Sequence, residues 1–267
     1  MLPKLIDAGS FYLPTYGVMV ATAFLIAIWV TGKLAKRAGL ASETITNLAI
    51  YCALVGMLGA KLAMFAFDWR LYLGEPSQIF TVETLQAAGV YQGGLLLAIG
   101  FAIVYMRRNG LPAWLTTDVF APGLALGHAI GRLGCLAAGC CWGAVCHRPW
   151  AITFTKPDAH ELTGVPLGIP LHPTQLYESL AEFAIFGFLY HRFGRRRRDG
   201  EILGWYLVLY SSVRLVVEFF RNHEQSLVAG LSLTQWISLT TLVAGIWLLL
   251  RPSRLTTAPS YVAGQVK

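Results

Sequence analysis

Long apolar runs separated by short polar or basic connections dominate the chain. Residues 8 to 32, 84 to 106 and 225 to 250 contain no Asp, Glu, Lys or Arg, and roughly 20 apolar residues suffice to cross a bilayer as a helix. Extending this reading to less uniform windows predicts seven helical spans, at about 12 to 32, 45 to 67, 89 to 106, 114 to 141, 174 to 191, 202 to 221 and 232 to 250. The expected fold is an all-α integral membrane protein with about seven transmembrane helices, a single polytopic domain over residues 1 to 267. The connection from 143 to 173 carries Pro149, Pro157, Pro166, Pro170 and Pro173, too many for one helix. It is expected to fold as a small external flap. FDWRLY, from Phe67 to Tyr72, suits a boundary at the headgroup layer.

Composition sharpens this picture. With 55% apolar and 13% charged residues and a mean hydropathy of +0.56, a soluble enzyme, a nucleic-acid module, a disulfide scaffold and a disordered regulator are excluded. The net charge of +7 then speaks of topology, with the lipid bilayer and not nucleic acid as partner. Counting connections alternately places 13 of the 21 basic residues on the side that receives the loop after the first span, and 5 on the other. That richer side is cytoplasmic, which puts the N-terminus outside and the C-terminus inside. The stronger basic cluster follows the first apolar run, which argues against a cleaved signal peptide.

Ionisable side chains at membrane depth cost about 3 kcal/mol each on insertion scales, so each needs a partner or a task. On the sixth span Arg214, Glu218 and Arg221 fall at i, i+4 and i+7, one helical face with a net positive charge that suits an anionic headgroup. The fourth span carries His128 and Arg132 one turn apart, with Gly123, Gly127 and Gly131 forming a small face for close helix packing. Gly134, Gly139 and Gly143 are expected to weaken that helix near Arg132, and broken helices at depth line cavities or lie within protein. Arg132 either binds a ligand or satisfies the carbonyls of the broken helix. The fifth span places Gln175, Glu178 and Glu182 on one face, and Glu178 is the expected counter-ion of Arg132 or Arg214, a structural role rather than that of a general base.

The chain resembles the prolipoprotein diacylglyceryl transferase family. The resemblance rests on TYGVMVATAF (Thr15 to Phe24), GAKLAMFAF (Gly59 to Phe67), GGLL (Gly93 to Leu96), APGLALGHAIGRLG (Ala121 to Gly134), RPWAITF (Arg148 to Phe154), HPTQLYE (His172 to Glu178), GEILGWYLVLYSSVRLVVEFFR (Gly200 to Arg221) and LSLTQWISL (Leu231 to Leu239), in order along the chain. It implies an enzyme of the bacterial cytoplasmic (inner) membrane with its site toward the outer leaflet. The implied reaction moves the diacylglyceryl group of phosphatidylglycerol to the lipobox cysteine thiol of a preprolipoprotein signal peptide and releases glycerol phosphate. By resemblance, Arg132 and Arg214 hold the phosphate, Glu218 orients an arginine, and Tyr16 and Gly143 fall on the family's functional Tyr and Gly. Gly93 and Gly94, Gln175, Glu178 and Arg221 complete the expected substrate-binding set. No metal and no soluble cofactor are implied.

Two departures fall in the site. The family usually reads HGG where this chain has QGG, so Gln92 replaces a histidine proposed to help activate the thiol. Glutamine cannot act as a general base near neutral pH, and His128 is a candidate substitute. The family's GRxGNFxNGE becomes GRLGCLAAGC, which puts Cys135 and Cys140 where Asn and Glu are expected. Cys135, Cys140, Cys141 and Cys146 are spaced CxxxxCCxxxxC, a poor match to zinc knuckles. Disulfides on the oxidising side, free thiols packed as small apolar residues, or one covalent nucleophile activated by Arg132 remain open. So do two other functions: a family paralogue acting on a different acceptor or lipid, and a non-catalytic phospholipid-binding or transport protein.

Overall fold

The computed structural model describes residues 2–7, 12–81, 84, 89–221, 230–252 and 255. Seven long helices lie over the seven predicted windows: α1 (Thr15–Arg37), α2 (Ser42–Phe67), α4 (Tyr91–Arg108), α5 (Ala113–Ala138), α7 (Thr174–Phe193), α8 (Glu201–Glu218) and α9 (Leu233–Leu250). Two short helices, α3 (Trp69–Gly74) and α6 (Pro157–Thr163), stand between them. Among the described residues α1, α2, α5 and α9 are long and apolar enough to cross a membrane. Their outer faces leave Leu25, Trp29, Met57, Val243 and Leu250 more than half exposed, while Asp118, Glu178 and Glu182 are fully buried. Apolar outside and charged inside is the arrangement a hydrocarbon solvent selects.

Chain contacts divide the described residues into two compact units, one drawn from residues 2–34 and 117–255 and one from residues 35–116. In the second unit α2 and α4 pack through glycine. A Cβ added at Gly93 would lie 2.2 Å from the Ala63 Cβ and 2.8 Å from the Gly59 carbonyl oxygen, and one at Gly94 2.6 Å from the Gly56 oxygen. Both glycines, expected to bind substrate, are thus committed to helix packing, and Gln92 beside them is exposed. Gly93→Ala should destabilise by about 1–3 kcal/mol through overpacking. Gly100→Ala on the same helix meets nothing within 4 Å and should be neutral or slightly stabilising. Thermal unfolding of the two variants in detergent checks the contrast.

In the first unit α1 and α5 approach along the expected small face, but only in part. A Cβ at Gly123 would meet the Thr31 hydroxyl at 2.3 Å and one at Gly127 the Ala27 Cβ at 3.3 Å, whereas Gly131 faces nothing within 4 Å; the seam continues instead at Gly134, against Met19 and Tyr16. Residues 12 to 14, expected to begin the first span, form a strand. β2 (Tyr12–Pro14) pairs antiparallel with β1 (Lys4–Asp7), and Pro14 precedes the first helical residue because it cannot continue a helix from within.

Residues 143 to 173 hold two short strands and the helix α6. β3 (Ile152–Thr153) and β4 (Pro170–Leu171) pair antiparallel, and Phe154, Ala159, Val165 and Leu171 bury one another in a core of their own. Lys4 reaches Asp158 on α6 at 3.4 Å.

Candidate functional site: an arginine lattice beside a cysteine loop

The fourth span does not break at Gly134. Helix α5 runs unbroken to Ala138 and stops at Gly139, whose φ of 83° is left-handed. Its amide donates to Leu136 and that of Cys140 to Cys135, the paired bonds of a Schellman termination. Arg132 and His128 therefore sit on regular helix and do not cap broken carbonyls.

Glu178, buried on α7, gathers three arginines. Arg132 Nη2 lies 2.6 Å from one carboxylate oxygen, and Arg214 Nη1 and Arg221 Nη2 each lie 2.9 Å from the other. It is the counter-ion of both arginines named from the sequence and of Arg221 besides. Arg214 Nη2 also meets Glu218 at 3.3 Å, one turn on. Arg221 does not stand on the same helix face as expected, because α8 ends at Glu218. The chain then tightens: Phe220 donates to Val217 and Arg221 to Glu218, three residues back instead of four.

His128 is engaged through Nε2, which accepts from Arg132 Nε at 3.1 Å and so leaves the ring proton on Nδ1; Nδ1 faces Glu182 at 3.4 Å without a hydrogen bond. The Tyr210 ring stands 5.5 Å away. The lone pair a general base would use is thus occupied, and His128 positions Arg132. His128→Ala should lower activity, and His128→Gln, whose amide oxygen can accept from Arg132, should restore much of it. A base would not be rescued by glutamine, so equal loss in both variants contradicts this role.

Ser232 and Asp118 are the residues that sequence reading missed. Ser232 accepts from the Gln235 amide while Gln235 reaches back to the Ser232 amide, a capping box at the start of α9; its hydroxyl also donates to Glu218 at 2.9 Å. The S-x-x-Q pattern within LSLTQWISL was the available signal. Ser232→Ala should cost about 0.5–2 kcal/mol as a lost cap and loosen Glu218, visible as a lowered unfolding temperature that Ser232→Thr largely recovers. Asp118, the one carboxylate in α5, accepts from the amides of Gly200 and Leu203 and caps α8 from across the unit.

Beyond α5 the chain forms a cysteine loop clamped by the N-terminus of α7. Gln175 Nε2 donates to the Cys140 carbonyl at 2.6 Å and Thr174 Oγ1 to the Cys141 carbonyl at 2.7 Å. Gln175, expected to touch substrate, is fully buried in this clamp. Cys141 is held at φ 61°, a left-handed conformation that costs a non-glycine residue about 1–2 kcal/mol. The sulfurs of Cys135, Cys140 and Cys141 lie within 4.8 Å of one another, and these three, Cys146 and Cys52 are free thiols. Arg132 lies within electrostatic range of Cys135 and Cys141, Arg221 of Cys141, and Tyr16 of all three cysteines. Tyr16, Arg132 and the loop are thus neighbours. Gly143 permits a close backbone approach: its amide donates to His172 at 3.0 Å, and a Cβ there would fall 2.5 Å from the Phe220 oxygen and 2.7 Å from the His172 Cβ.

An apolar groove of about 540 Å³ opens between α7 and α8, lined by Trp150, His172, Tyr177, Val213, Val217 and Phe220 among others; Glu178 and its three arginines do not line it. The Trp150 indole donates to the Tyr177 hydroxyl at 2.8 Å. The same two helices, α7 and α8, thus carry a charged, donor-rich lattice and a groove of aliphatic and aromatic side chains.

Comparison with known proteins agrees with the resemblance. A family model described as prolipoprotein diacylglyceryl transferase matches residues 3–251. A Clostridium perfringens protein named phosphatidylglycerol--prolipoprotein diacylglyceryl transferase 2 is 32% identical over 236 residues, 88% of this chain and 89% of its own. Proteins named phosphatidylglycerol--prolipoprotein diacylglyceryl transferase from Methylobacillus flagellatus (32% identity, 93% of this chain, 95% of theirs) and Clostridium tetani (30%, 92% and 96%) are similar over comparable lengths. The chain belongs to the prolipoprotein diacylglyceryl transferase family.

Proposed function

We propose that the protein transfers the diacylglyceryl group of phosphatidylglycerol to the lipobox cysteine thiol of a preprolipoprotein signal peptide and releases glycerol phosphate. The convergence of Arg132, Arg214 and Arg221 on Glu178 carries this reading. One carboxylate satisfies only part of the donor capacity of three guanidiniums, each of which has five N–H groups. Arginine geometry matches phosphate oxygens bidentately. As the phosphodiester loses its glyceryl carbon the phosphate gains charge, so the same donors bind the transition state more tightly than the substrate. Glu218 and His128 hold Arg214 and Arg132 in place, and the groove between α7 and α8 has room for an acyl chain or the apolar part of a signal peptide.

The topology belongs to the same proposal. All seven long helices span the bacterial cytoplasmic membrane, with the N-terminus outside, the C-terminus cytoplasmic, residues 143–173 as an external head and the lattice toward the outer leaflet. Arg107, Arg108, Arg192, Arg195 to Arg198 and Arg251, in the connections that alternate counting assigns to the cytoplasm, support that orientation.

Gln92, Cys135 and Cys140 favour one second reading, a family member with a different acceptor. Expression in a strain depleted of its own transferase separates the two. Restored growth and lipidated lipoproteins support the first. Failure to restore either, with phosphatidylglycerol still consumed by the purified protein, supports the second.

A further inference from the structure

We propose that Cys135, Cys140 and Cys141 bind a zinc ion with one open position, and that this position takes the thiol of the acceptor. The identity of that thiol rests on the transferase reading; the metal does not.

The spacing alone argued against zinc, because knuckles bring ligands two to four residues apart. The structure removes the objection by reversing the chain after Ala138, so that two consecutive loop cysteines face one on the helix. Their sulfurs lie within 4.8 Å of one another. Tetrahedral zinc with Zn–S bonds of about 2.3 Å separates its sulfurs by about 3.8 Å, a distance reached by side-chain rotation. The backbone is already set by the Gly139 termination, by the left-handed Cys141 and by the bonds from Gln175 and Thr174. Three thiolates around a divalent cation carry one net negative charge, and Arg132 and Arg221 stand within electrostatic reach to balance it.

Three protein ligands with a free fourth position is the pattern of catalytic rather than structural zinc. Cys135 is buried and Cys141 exposed, so an acceptor thiol would reach the cluster from the Cys141 side. A thiol that coordinates zinc is deprotonated outright, which supplies the activation that glutamine at position 92 cannot. The acceptor thiol gives its proton to solvent water as its sulfur replaces the water on zinc. That sulfur attacks the glyceryl carbon bonded to the phosphate oxygen; the C–S bond forms as the C–O bond breaks, and the electron pair leaves on glycerol phosphate. The product thioether is neutral and a weak ligand, so it departs and water returns. A resident cysteine as lipid carrier fits the chemistry less well, because the second transfer would have to expel a thiolate from an unactivated carbon.

The test uses the full-length protein, purified in detergent with a phosphine reductant and titrated with cobalt(II). One equivalent with a thiolate-to-cobalt charge-transfer band is expected, displaced by zinc. The band should be lost in Cys141→Ser and kept in Cys52→Ala, whose thiol lies on α2. Adding a lipobox peptide should raise the band by about a third, from three thiolates to four, while a serine-substituted peptide leaves it unchanged. Absence of the band, or its persistence in Cys141→Ser, overturns the site. A band that ignores the cysteine peptide, or peptide modification that survives metal removal, overturns the activating role. A peptide-responsive band without glycerol phosphate release supports the zinc site and counts against the transferase reading alone.

Discussion

Replacing Glu178 by glutamine should destabilise the protein and abolish transfer together. Three guanidiniums share this carboxylate, at 2.6, 2.9 and 2.9 Å, and it is 1% exposed. Removing one partner of a buried ion pair typically costs about 3–5 kcal/mol, because the remaining charge keeps its desolvation penalty without its compensation. Here three cations lose the same partner, and the glutamine amide turns an N–H₂ toward at least one of them. Unfolding in detergent should fall by at least that amount, with turnover lost even where the fold survives at low temperature. Glu178→Asp keeps the charge one methylene short, and should retain more of the stability than of the rate. Glu182→Gln offers the contrast. Neither Glu182 oxygen accepts a hydrogen bond among the described residues, and His128 lies 3.4 Å away, so its loss should cost far less. Equal effects at 178 and 182 would contradict the shared counter-ion.

Arg132→Ala should act mainly on rate. The Arg132 side chain is 15% exposed against 9% for Arg214 and Arg221, so it offers most to a ligand and least to the interior. Losing one donor preorganised for a developing negative charge costs about 10²–10³-fold in kcat. Arg132→Lys should recover little, since an ammonium cannot reproduce a fork held at Nε by His128 and at Nη2 by Glu178. Arg214→Ala, by contrast, should lose rate and stability together, because Arg214 also ties Glu178 to Glu218. Steady-state glycerol phosphate release beside thermal unfolding separates the two behaviours.

How far the sequence could be read depended on which constraint was local. Bilayer-length apolar windows are a local property, and the seven long helices stand over the seven windows read from them. A buried arginine needs an anion, and few carboxylates occur in the apolar windows, so Glu178 could be named in advance. Its sharing by three cations could not, since that depends on how α5, α7 and the end of α8 meet. Arg221 was assigned to a helix face because periodicity does not announce where the last turn tightens. Gly93 and Gly94 carried a functional expectation, yet a glycine pair serves equally for the close approach of α2 and α4. The cysteines were the least legible. Their spacing was measured along the chain, whereas a Schellman turn at Gly139 and a left-handed Cys141 determine their spacing in space.

The most direct test of the arginine lattice as the site of phospholipid chemistry is a paired assay. Purified protein would be incubated with phosphatidylglycerol and a lipobox peptide while glycerol phosphate and peptide mass are followed together. The account predicts one glycerol phosphate released for each peptide that gains a diacylglyceryl group, with both signals lost in Arg132→Ala. Glycerol phosphate without a modified peptide, or both products undiminished in Arg132→Ala, would contradict it.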